Sequence, residues 1–76
     1  MGKLEIAKRV IKKHIGEAQC GLFDSGDIMG DDKETLYDKD GLTIYICRYW
    51  AYFEVFGLSD QEFKELERYY YELGGL

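Results

Sequence analysis

The tetrapeptide DKDG, residues 38 to 41, does most to narrow what this chain can fold into. Its Asp-Gly pair supplies the left-handed backbone of a tight hairpin turn. Glu34 to Tyr37 before it and Leu42 to Tyr49 after it are therefore expected as paired antiparallel strands. In the second of these, Leu42, Ile44 and Ile46 share one face, and Thr43, Tyr45, Cys47 and Tyr49 share the other. Cys47 thus falls in an aromatic row opposite an aliphatic one. A third strand over Ala51 to Phe56 follows the connection RYWA, which holds no Gly, Asn or Pro to dictate a turn type.

Helical signals bracket these strands. Leu4, Ala7, Ile11 and Ile15 recur at helical spacing, Ile6 and Val10 widen the stripe, and lysines take the other side. Gly16 is the expected stop, with His14 in the last turn. After Gly57, Ser59 reads as an N-cap, Glu62 as its reciprocal partner, and Leu58 as a staple to Phe63. Phe63, Leu66, Tyr70 and Leu73 form the buried stripe of that second helix, and Gly74 ends it. With a short strand expected at Cys20 to Phe23, the fold class is α+β: an N-terminal helix, a small antiparallel sheet of about three to four strands, and a C-terminal helix, in one domain over residues 1 to 76.

At 76 residues the chain hides only about 60% of its unfolded surface, so a covalent or metal staple would add needed stability. Hydrophobic residues at 46% are too many for a disordered tail. No apolar run nears the roughly 18 residues of a membrane span, and the basic, amphipathic start lacks the apolar block of a signal peptide. The expected compartment is the cytoplasm, where thiols stay reduced and two cysteines read as free thiols or metal ligands in preference to a disulfide.

Charge divides the chain. Residues 1 to 14 carry five Lys or Arg against one acid, whereas residues 15 to 76 carry five against fourteen. An acidic body repels phosphate backbones and attracts basic protein surfaces, so direct nucleic-acid binding is not expected.

Several chemistries fail on spacing. An EF-hand begun at Asp24 places Gly26 and Ile28 at ligand positions and Thr35 where a bidentate Glu belongs; one begun at Asp27 places Met29 at a ligand position and Asp32 where Gly is needed. The stretch from Gly21 to Gly26 continues into Asp27, without the Lys of a phosphate loop. A Cys–His dyad with His14 would have little room for a substrate pocket in so small a chain, so no enzyme is expected.

HIGEAQC, residues 14 to 20, holds the single histidine and the first cysteine. One reading makes Cys20 and Cys47 small buried hydrophobes and His14 a helix cap. The sharper reading has His14, Cys20 and Cys47 converge on structural zinc, with Asp24 as the first candidate for fourth ligand ahead of Asp27 and Glu17.

GLFDSGDIMGDD, LYDKDGLTIYICRYW and AYFEVFGLSDQEF together resemble small acidic anti-CRISPR proteins of phages and mobile elements in Gram-positive bacteria. Among these the chain looks most like inhibitors of the type II RNA-guided DNA nuclease, including a zinc-containing kind. The resemblance implies a non-enzymatic inhibitor that binds the effector nuclease, whose positively charged channels hold the guide–target duplex, and hinders loading of target DNA. On that basis Asp24, Asp27, Asp31, Asp32 and Glu34 of the loop, and Asp60, Glu65, Glu67 and Glu72 of the second helix, are the acids expected to meet its Lys and Arg. The alternative is an adaptor, zinc-stapled or metal-free, that docks another cellular partner through Tyr49, Trp50 and Tyr52.

Overall fold

Asp40 and Gly41 both adopt positive φ, 54° and 81°, as the two central residues of a type I′ hairpin turn require. They join β2 (Lys33–Lys39) to β3 (Leu42–Cys47) in antiparallel pairing. In the computed structural model, which describes residues 2 to 24 and 33 to 75, these strands belong to a four-stranded sheet. It is completed by β1 (Gly21–Phe23) and β4 (Tyr52–Phe56), in the order β1-β4-β3-β2.

β3 and β4 are antiparallel, but β1 runs parallel to β4. The sheet is therefore mixed, which corrects the purely antiparallel expectation. A tight hairpin fixes the direction only of strands adjacent in sequence, and β1 lies beside β4, with two strands between them along the chain.

The expected helices form. α1 spans Lys3–His14 and continues through a 3₁₀ turn, Ile15–Glu17, before β1; α2 spans Asp60–Glu72. Ser59 accepts from the Glu62 N–H while the Glu62 side chain accepts from the Ser59 N–H, closing the capping box. Both helices cover one face of the sheet. There Ala7 and Ile11 of α1 and Leu66 and Tyr70 of α2 share a buried core with Leu42, Ile44 and Ile46 of β3 and Phe53 and Val55 of β4. The aliphatic face of β3 thus lies where its alternation placed it.

A bulge in β2 sets what faces the opposite side. Thr35 pairs with Tyr45, yet the next pair is Tyr37 with Ile44, so Leu36 is the extra residue. The slip reverses the alternation: Lys33 and Thr35 stand on the face of Cys47 and Tyr45, away from the helices, and Tyr37 packs against the core.

Candidate functional site: an acidic-aromatic groove at the sheet edge

β1 is three residues long and terminal in the sheet, and Tyr70 holds it in place. The Cys20 N–H donates to the Ala51 carbonyl at 2.7 Å, which docks the strand entrance onto the turn before β4. The next N–H, that of Gly21, points the other way and donates to the Tyr70 hydroxyl at 2.9 Å. That hydroxyl in turn donates to the Ala18 carbonyl at 2.9 Å, so a buried phenol is satisfied as donor and acceptor while pinning the edge strand to α2. A Cβ at Gly75 would collide with the Tyr70 ring, which gives the GG sequence after α2 a packing reason.

Along this edge runs a groove of about 400 Å³. Cys20 to Asp24 form one wall, and Phe63, Glu67 and Tyr71 of α2 form the other. Phe23 and Tyr71 remain 42% and 54% exposed, respectively, and the Phe23 ring is steadied edge-on against Tyr52 with centroids 5.5 Å apart. Two carboxylates, exposed Asp24 and half-buried Glu67, line the groove together with aromatic rings, and among the described residues no Lys or Arg does. Such a lining favours a cationic side chain with an apolar stem.

The acids expected to face a partner divide by surroundings. Asp24 and Glu67 line the groove from opposite walls. Glu34 is already paired, accepting from Arg48 Nη1 at 2.7 Å. Glu65 and Glu72 line a second depression with Lys8 and Arg68, so that stretch of α2 presents mixed charge. Asp60 is exposed at the start of α2. Asp27, Asp31 and Asp32 lie outside the described residues.

The expected zinc ligands are not gathered. His14 Nδ1 sits 2.9 Å from Glu17 Oε2, Cys20 and Asp24 are exposed at the groove, and Cys47 is buried in β3 on the face away from the helices. Among the described residues no three His, Cys, Asp or Glu side chains form a metal-holding group, and both cysteines are free. The donor set does not fit zinc in this arrangement.

His14 instead begins a chain of polar contacts. Glu17 Oε1 accepts from Arg48 Nε at 2.7 Å, and the same guanidinium reaches Glu34. The hydrogen bond from Arg48, followed by that from His14, holds the Glu17 carboxyl below its ordinary pKa. This network braces the turn Arg48 to Ala51, on which Tyr49 and Trp50 stand 68% and 64% exposed with ring centroids 5.0 Å apart. Ala51 closes the turn at φ 57°, a left-handed conformation that is costly for a residue with a Cβ. Tyr52, expected beside them as part of a docking edge, is buried, because it enters β4 against Cys47 and Gly21.

Sequence reasoning missed Glu54, which is wholly buried in the middle of β4. Lys33 Nζ donates to its Oε1 at 2.9 Å, lying 5.3 Å from the centroid of the Tyr45 ring. That bond is the main reason the Lys33 pKa is raised. Glu54 Oε2 and the Tyr52 hydroxyl are buried without a partner among the described residues. The available signal was the lone charge in YFEVF, a strand otherwise apolar on both faces.

No protein-family model, curated protein or solved structure matches this chain. Its own geometry therefore carries the functional argument. No helix among the described residues is long and apolar enough to cross a membrane.

Proposed function

We propose that this chain is a non-enzymatic inhibitor that binds a basic protein surface through acidic side chains, and that the surface belongs to a type II CRISPR effector nuclease whose loading of target DNA it hinders. The observation that carries the binding reading is the edge groove, where Asp24 and Glu67 share a lining with Phe23 and Tyr71 that holds no cation among the described residues. Acid excess over residues 15 to 76 favours encounter with such a surface and disfavours nucleic acid as the direct partner. The nuclease as partner comes from the sequence resemblance, to which the groove adds a place for its Lys and Arg.

The test is to titrate this protein into guide-loaded type II nuclease and follow binding of labelled target DNA. Loss of loading that weakens with salt and with the double variant Asp24→Lys, Glu67→Lys supports the reading. Normal loading at saturating protein rejects the nuclease as partner.

A second reading has an observation of its own. Tyr49 and Trp50 are large, exposed and held on a braced turn, the composition and rigidity of an interface hot spot. In an adaptor that docks a different partner there, Tyr49→Ala with Trp50→Ala abolishes binding, and the groove acids do not matter.

A further inference from the structure

We infer that β1 accepts an extended, Arg- or Lys-bearing segment of a partner protein as a fifth strand, with the cationic side chain seated between Phe23 and Tyr71 against Asp24 and Glu67. This rests on the reading of the partner as basic and names the mode of capture. β1 pairs with β4 on one side only, and among the described residues no strand covers its other side. Because the Cys20 N–H is directed to Ala51, alternation turns the backbone of Gly21 and Phe23 outward. Gly21 is itself buried and its N–H is closed by Tyr70, which leaves the N–H and carbonyl of the exposed Phe23 on the open side. An exposed strand edge of this kind recruits an extended peptide through main-chain hydrogen bonds, while a flanking pocket selects the side chain.

The pocket matches one cation in size and chemistry. About 400 Å³ is the space of a small ligand site, ample for one long side chain and too small for a folded element. Aromatic faces on both walls suit a guanidinium or ammonium and its aliphatic stem, and the two carboxylates supply charge. The docking surface is pre-organised, because Tyr70 ties β1 to α2 and Tyr52 supports the Phe23 ring, so little ordering entropy opposes binding.

Cys20 provides the readout. It is exposed on the groove wall, whereas Cys47 is buried, so alkylation by iodoacetamide under native conditions reports on the groove alone. The probes are the blocked pentapeptide acetyl-Thr-Val-Arg-Val-Thr-amide, its citrulline counterpart, and a version N-methylated on both valines to block strand pairing. The Arg peptide is expected to slow Cys20 alkylation, with the citrulline peptide and the Glu67→Gln variant each weakening protection about fivefold, the scale of one partly desolvated charge contact. N-methylation is expected to abolish protection. No protection by the Arg peptide, equal protection by citrulline, or full protection by the N-methylated peptide each overturns the inference. In the nuclease complex the two proposals separate: blocked DNA loading with Cys20 still reactive refutes this mode of capture, and a protected Cys20 in the peptide assay with unhindered DNA loading refutes the nuclease as partner.

Discussion

Lys33 Nζ, at the first residue of β2, reaches past β3 to the buried Glu54 carboxylate on β4 at 2.9 Å. This bond ties an edge strand to an inner strand two places away, and it exists only because the bulge at Leu36 turns Lys33 to the face that carries Glu54. Charge at a position of zero exposure needs that partner, since an isolated buried carboxylate is strongly disfavoured.

Lys33→Met should therefore destabilise the domain by about 2 kcal/mol in urea titration. That is less than the roughly 3–5 kcal/mol of a fully enclosed pair, because Lys33 keeps part of its surface in water. The double variant Lys33→Met, Glu54→Leu should regain most of the loss. A single variant as stable as the parent would show that the pair does not hold the register.

The same bond gives an alkaline limit. Lys33 has its pKa raised above the ordinary 10.5, chiefly by the Glu54 hydrogen bond. Its contribution is thus complete below the unfolded value and is lost as pH rises through the higher folded one. Urea midpoints should fall above about pH 10.4 in the parent, with a smaller fall in the double variant.

Acid acts on the other network. Glu17 has a lowered pKa, first because of Arg48 and then because of His14, so its contribution is present above the ordinary glutamate value of about 4.3 and lost as pH falls through the folded value. Emission from the single tryptophan, Trp50, should report this loosening of the turn before far-UV circular dichroism reports unfolding. In Arg48→Met the early step should be missing; if it persists unchanged, the Glu17 brace is not its source.

Ala51→Gly should stabilise the domain. The left-handed φ of 57° costs an alanine about 1 kcal/mol that glycine does not incur. The gain should appear as a rise in Tm of about 4–8 °C for a domain of this size. Ala51→Val should lower Tm, and a lowered Tm for the glycine variant would refute the turn geometry.

Chelation by EDTA should leave the thermal unfolding curve unchanged, because His14, Cys20, Asp24 and Cys47 do not converge and His14 is engaged with Glu17. Cys47→Ser should destabilise equally with and without chelator, through loss of buried sulfur packing at a position of zero exposure. A chelator-dependent Tm would restore a metal staple to the account.

What this sequence determined by itself are the features encoded within a few residues. Asp40-Gly41 specified the hairpin, Ser59 and Glu62 the start of α2, and the alternation of Leu42, Ile44 and Ile46 the buried face of β3, because turn dihedrals, cap bonds and side-chain parity are local. Only the tertiary structure decided the rest. The parallel placement of β1, the Lys33 bond to Glu54 and the shared groove lining of Asp24 and Glu67 each join residues far apart in the chain. Such contacts depend on how the helices and sheet pack as a whole, and no spacing along the sequence encodes them. The same physics dispersed the residues around HIGEAQC: Cys20 follows β1 to the groove, Cys47 turns to the opposite sheet face, and His14 is left to Glu17 and, through it, to Arg48.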